Sequence, residues 1–151
     1  MTENQQYANA VEAGNAPTST SVPLDDKFVD ARGKIENLLL SPITSIARIS
    51  SVAKSVRANH YHLTDWHYAY VESGCVLYFE RAIGSTEIPE PIAYRAGEMF
   101  FTRPNVEHAM LFVLDSVIFT FAKNVRDHET HEADLVRVDF ITPEIVARLL
   151  P

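Results

Sequence analysis

The feature that most constrains this chain is its punctuation. Between Gly33 and Lys123, short apolar runs alternate with turn-forming residues about every ten positions. The runs are Ile35 to Leu40, Ile43 to Ile49, Val52 to Asn59, Tyr68 to Val71, Val76 to Phe79, Ile92 to Tyr94, Met99 to Thr102, His108 to Phe112 and Val117 to Ala122. None keeps a helical period. About eight or nine short strands at this spacing predict an all-β sandwich or barrel. Ser73-Gly74, set between two such runs, reads as a tight hairpin. Gly84 to Pro91 reads as a polar loop.

Two segments stand outside the pattern. Residues 1–23 are rich in Asn, Gln, Ala, Ser, Thr and Pro and nearly devoid of large apolar residues, so a disordered tail is expected. The folded domain is then expected over residues 28–151, beginning near Phe28. Residues 143–150 form the one helical pattern, with Thr142 as N-cap, Pro143 in the first turn, and Ile145, Val146, Leu149 and Leu150 on one face.

Composition narrows the function. The chain has 151 residues, ordinary for one domain, with a net charge of −7. Basic residues cluster only sparsely, at Arg48, Lys54 and Arg57, which argues against nucleic acid as a partner. No apolar run approaches the ~20 residues that span a bilayer. The first residues lack the pattern of a secretory signal. The single cysteine, Cys75, rules out an internal disulfide and reads as a buried, inert thiol. A soluble cytoplasmic protein is expected.

The histidines carry the chemical information. His60 and His62 are two residues apart, and on a strand such positions face the same way. Two adjacent imidazoles on an inward face can grip one metal ion. His67 follows after a short bend, and His108 lies on a distant strand that a closed β-fold can bring alongside. A metal site of His60, His62, His67 and His108 is expected. His128 and His131 fall in a charge-rich run, Arg126 to Asp134, which reads as a solvated loop away from that site. Alternation from His67 turns Tyr68, Tyr70 and Glu72 to the opposite face, and Tyr61 likewise opposes its two neighbouring histidines. Trp66 reads as core, although a ring beside His67 could also stack on a sugar.

At these residues the chain resembles the cupin superfamily. The first cupin motif is read in His60-Tyr-His62, four residues, His67, six residues and Gly74; the second in Gly97, six residues, Pro104, three residues and His108. The resemblance covers about residues 33–123. It implies a double-stranded β-helix, or jelly-roll barrel, with a divalent transition metal. His67 stands where most cupins carry glutamate, so the ligand set is all imidazole, suited to Zn, Fe, Ni or Cu rather than Mg or Ca. Lys54 replaces an expected glycine and Phe112 an expected asparagine.

Arg57-x-x-His60-x-His62 further resembles the pattern of cupin isomerases and epimerases of nucleotide-linked keto-sugars. That likeness implies Arg57 as a catalytic-site residue holding an anionic group. It also implies histidine acid/base chemistry, often with no metal bound. The leading expectation is a metal-binding cupin acting on a small polar metabolite, such as a sugar or sugar nucleotide, by isomerisation or epimerisation, and assembled as a homodimer. The alternatives are a metal-dependent dioxygenase and a non-catalytic small-molecule-binding cupin, and metal identity and turnover separate the three.

Overall fold

The computed structural model describes residues 19–151. Twelve strands run in the order β1 (Ser21–Val22), β2 (Lys27–Asp30), β3 (Gly33–Glu36), β4 (Ser45–Ser51), β5 (Val56–His62), β6 (His67–Ser73), β7 (Cys75–Arg81), β8 (Ile92–Arg95), β9 (Met99–Thr102), β10 (Glu107–Phe112), β11 (Ser116–Ala122) and β12 (Leu135–Arg137). Helix α1 (His128–Asp134) precedes β12, and α2 (Pro143–Leu149) closes the chain. Two five-stranded antiparallel sheets, β1-β9-β6-β11-β4 and β12-β5-β10-β7-β8, form the two walls, and β2 and β3 form a separate two-stranded sheet. This is the jelly-roll architecture of the cupin type.

The pleat sorts side chains into three apolar clusters. Between the walls lie Ala69, Val71, Val76, Tyr78, Phe100, Met110, Phe112 and Ile118. Tyr68, Phe101 and Trp66 pack on the outer face of the first sheet, so Trp66 does not face the barrel interior. Phe79, Ala109 and Leu111 lie on the outer face of the second sheet, covered by Phe140, Ile141 and α2. Every residue of β10 is therefore buried, because both its faces are covered.

The C-terminal helix forms as its sequence predicts. Thr142 caps it, accepting from the Ile145 amide at 3.4 Å, and Pro143 occupies the first turn.

Three expectations are corrected. The Ser73-Gly74 turn is no hairpin: β6 and β7 belong to opposite sheets, and Gly74 is the corner between them. Its φ of +93° and the Asp115 carbonyl, 2.6 Å from where a Cβ would stand, exclude a side chain there. The segment expected as tail also enters the fold. Ser21 and Val22 pair with Phe100 and Met99, Val22 is buried, and the Thr20 hydroxyl donates to Glu80 at 2.6 Å. Residues 1–18 lie outside the described residues. Finally, the charge-rich run is helical from His128 to Asp134, with Asp127 accepting from the Thr130 amide as N-cap at 3.0 Å. Among the described residues, no helix is long and apolar enough to cross a membrane.

Candidate functional site

Four histidines meet inside the barrel because two strands of one wall and one of the other present inward positions at the same level. His108 on β10 lies opposite His60 on β5 in the antiparallel ladder. His62 follows two residues on, and His67 begins β6 in the facing sheet. The rings of His60 lie 4.8 Å from those of both His62 and His108, and His62 stands 5.5 Å from His108. His67 is farther out, 5.8 Å from His62 and 6.1 Å from His108. The cavity they line has a volume of about 400 Å³.

Burial determines their charge. It pushes His60 down to about 2, helped by His108 and His62, and His108 down to about 3. His67 is held well below the ordinary imidazole range, first by burial and then by neighbouring His62. His62 is lowered by burial too, but the carboxylates of Asp65 and Asp134 pull it back up. All four rings are neutral at pH 7, and each neutral ring keeps one lone pair.

The residues fit a metal ion. The ligating nitrogens of His60, His62 and His108 all lie within 4.8 Å of one another. Two nitrogens on one tetrahedral ion, each at ~2.1 Å, stand ~3.4 Å apart, so the rings would have to draw together to hold one. Among the described residues, buried nitrogens of His60, His62, His67 and His108 also lack a partner in hydrogen-bond geometry, as expected of groups intended for something the protein does not itself supply. The expected fourth ligand, His67, does not join this three-histidine group.

Behind His62 stands a carboxylate absent from the sequence-based expectation. Nδ1 of His62 lies 3.3 Å from Asp134 Oδ2, at the end of α1. Asp134 accepts bonds from the Thr64 amide at 2.9 Å, the Thr64 hydroxyl at 2.6 Å and the Asp65 amide at 3.0 Å. Burial opposes its ionisation, but these bonds prevail and keep its carboxyl below the usual range. Asp65, 3% exposed, accepts from the Asn124 amide at 2.9 Å. His62, Asp65 and Asp134 also gather their ligating atoms within 4.8 Å, but both carboxylates are already engaged with backbone donors. Asp134 stands against the His62 ring, and Asp65 acts on it only through its charge.

His131 overturns the expectation that it lies elsewhere. Its ring stands 5.6 Å from His62 and 6.3 Å from His60, and it lines the same cavity; His128 is exposed. The sequence held one usable signal. Asp127 is a favoured N-cap residue, and on a helix that it opens His131 and Asp134, three apart, share a face.

Arg57 reaches the cavity through an irregularity. Strict alternation from His60 and His62 would turn this odd-numbered residue outward. The β5–β10 register shifts between His108 and Ala109, and Ala58 and Asn59 adopt φ of +70° and +53°. This bulge reverses the alternation, so Arg57 lies opposite Met110, a residue of the inner core, and lines the cavity. Its guanidinium donates to Ser51 Oγ at 2.7 Å and the Ser50 carbonyl at 3.0 Å. Glu107 points the other way, paired with Arg81 at 2.6 Å.

The jelly roll thus gathers neutral imidazoles, a carboxylate-backed histidine and an arginine at one cavity. No protein-family model matches the chain, and no curated protein matches it. Solved structures do match in fold. The QdtA 3,4-ketoisomerase from Thermoanaerobacterium thermosaccharolyticum, a double mutant in complex with TDP, is 21% identical over 85% of this chain and 94% of its own, with a TM-score of 0.58. A 3,4-ketoisomerase from Helicobacter canadensis is 15% identical over 84% and 93%, with a TM-score of 0.61. ChmJ, a 3'-monoepimerase from Streptomyces bikiniensis in complex with dTDP-quinovose, is 16% identical over 84% and 71%, with a TM-score of 0.63.

Proposed function

We propose that this protein isomerises or epimerises a keto-sugar linked to a nucleotide, moving a proton at a carbon beside the carbonyl. The observation that carries the reading is His62 set against Asp134 inside the cavity. With Nδ1 protonated toward Asp134, Nε2 on the opposite edge of the ring holds a lone pair and acts as general base. The carboxylate fixes the tautomer and offsets the charge as imidazolium forms. Burial keeps His62 unprotonated at rest. The rings around His62 able to relay the proton are those of His60 at 4.8 Å, His108 at 5.5 Å and His131 at 5.6 Å. Arg57 holds the anionic part of the substrate. The fold neighbours, whose names record ketoisomerase and epimerase activity and TDP-type ligands, support the same substrate class.

A second reading is favoured by the unpartnered nitrogens. His60, His62 and His108 would hold a divalent transition metal, which supplies Lewis-acid polarisation of a carbonyl when bound. Asp134 would then orient His62 as a ligand instead of a base.

One experiment separates them. The purified protein is assayed for stoichiometric metal, then incubated with TDP-4-keto-6-deoxyglucose in deuterated water. Deuterium entering beside the carbonyl, unaffected by chelator and lowered by Asp134→Asn, supports the base reading. Exchange that follows metal content supports the second. Absence of exchange with any keto-sugar nucleotide, alongside oxygen uptake by an iron- or copper-loaded protein, overturns both in favour of a dioxygenase.

A further inference from the structure

The cavity is at odds with the chain around it. The protein carries a net charge of −7, yet its histidine cavity is lined by Arg57, Arg126 and Arg137. The five surrounding imidazoles are kept neutral, so they add nothing to the field. Arg137 is neutralised by Glu132, whose two carboxylate oxygens lie 2.7 and 2.8 Å from its Nη2. Outside the cavity, Arg81 is neutralised by Glu107 in the same way.

Arg57 and Arg126 are different. Arg57 donates only to a hydroxyl and a carbonyl, both neutral. Arg126 donates only to the Thr120 hydroxyl, at 3.4 Å. Among the described residues, neither forms an ion pair with a carboxylate. Arg126 is also substantially buried. Burial depresses its basicity, Asp65 opposes that from a distance, and the neighbouring Arg57 charge adds to it. Two like charges thus face one cavity, exposed Arg57 and partly desolvated Arg126, with the Asp65 carboxylate acting on Arg126 but forming no ion pair with it; a ligand anion would supply the close negative charge that both lack. A guanidinium presents donors in a planar fork that matches phosphate oxygens.

We propose that Arg57 and Arg126 form a two-armed clamp for a phosphate or diphosphate group at the histidine cavity. β5 supplies one arm through its bulge, and the segment between β11 and α1 supplies the other. Arg126 is thus a second anion-binding residue, contributed by a part of the chain that carries no cupin motif. The inference rests on the functional reading above only for what is attached to the phosphate.

The test is calorimetric titration of the full chain with thymidine diphosphate, inorganic pyrophosphate and thymidine. Arg126→Gln and Arg57→Gln should each weaken diphosphate binding roughly tenfold or more, as expected for loss of a charge-assisted hydrogen bond. Thymidine, lacking the phosphates, should bind far more weakly than the diphosphate, and its binding should not respond to either change. Arg148→Gln, on exposed α2, is the charge control and should bind as wild type. If Arg126→Gln fails to fold, Arg126→Lys replaces it: it retains charge but loses the fork, so it should still bind several-fold more weakly. Wild-type affinity in both Arg126 variants would overturn the clamp, as would a wild-type protein that binds neither diphosphate nor pyrophosphate. Pyrophosphate binding as tight as that of the nucleotide assigns the site to a free anion's chemistry and keeps the clamp. Diphosphate binding without deuterium exchange defeats the functional reading but not the clamp. Exchange that persists with unchanged KM in Arg126→Gln defeats the clamp but not the reading.

Discussion

Strand β5 walls two cavities, one on each of its faces, and they differ in the way that matters for chemistry. The larger, about 650 Å³, lies on the outer face beneath α2 and is lined by Val56, Ile141, Val146 and Leu150. Its one amide, Asn59, is fully engaged, donating to the Ile141 carbonyl and accepting from the Ile141 amide, both at 3.0 Å. The smaller, about 400 Å³, lies inside the barrel and leaves buried ring nitrogens without partners. Volume therefore points to one face and unmet hydrogen-bonding capacity to the other. The second criterion identifies the site, because an unsatisfied buried polar group is tolerated only where something else completes it.

The largest expected difference between the cavities is in turnover. His62→Asn keeps a polar side chain but removes the base, and proton transfer at the substrate carbon should fall on the order of 10²- to 10⁴-fold. Val146→Ala, in the outer groove, should leave turnover unchanged. Initial rates of deuterium incorporation compare the two directly. Equal losses in both variants would mean that the cavities do not differ in function.

A second difference is acid sensitivity. His60 and His108 titrate at about 2 and about 3 in the folded chain, against ~6.5 when unfolded. Between those limits the unfolded state binds more protons, so stability rises with pH and is lost as pH falls below ~6.5. Each such histidine contributes a slope of roughly 1.4 kcal/mol per pH unit. Urea midpoints should hold steady above pH 7 and drop steeply toward pH 5, and His108→Leu should flatten the fall. A flat wild-type profile would show that the rings are not buried as neutral groups.

The contrast also shows what a sequence can disclose. Inward histidines were legible because strand alternation is local: His60 and His62 share a face whatever lies around them. The spacing of turns disclosed an all-β sandwich or barrel, and the resemblance to cupins implied the jelly roll. What was hidden depends on long-range docking or on broken periodicity. Gly74 reads equally well as a hairpin turn or as a corner between sheets, and only the partners of β6 and β7 decide. Thr20 and Val22 sit in a polar stretch, and their burial depends on an edge that β9 offers. The run from Arg126 to Asp134 has no apolar stripe, so nothing local says that His131 and Asp134 turn toward the barrel. The inward face of Arg57 depends on a one-residue bulge that no hydrophobic pattern marks.

That bulge is also where the two cavities meet, and it yields the smallest expected effect. Asn59 adopts a left-handed conformation, as asparagine does more readily than most residues, while its side chain ties β5 to the segment before α2. Asn59→Gly preserves the backbone freedom and removes two hydrogen bonds. At roughly 0.5–1.5 kcal/mol each, the loss should be about 1–3 kcal/mol of stability, read from urea unfolding. Because the bulge survives, Arg57 should still face inward and diphosphate affinity should stay within about twofold of wild type. Asn59→Ala places a Cβ in the left-handed region and should cost about 1–2 kcal/mol more. If Asn59→Gly weakens the ligand as strongly as Arg57→Gln does, then the hydrogen bonds under α2 hold the bulge in place, and the outer groove governs the inner site instead of merely sharing a strand with it.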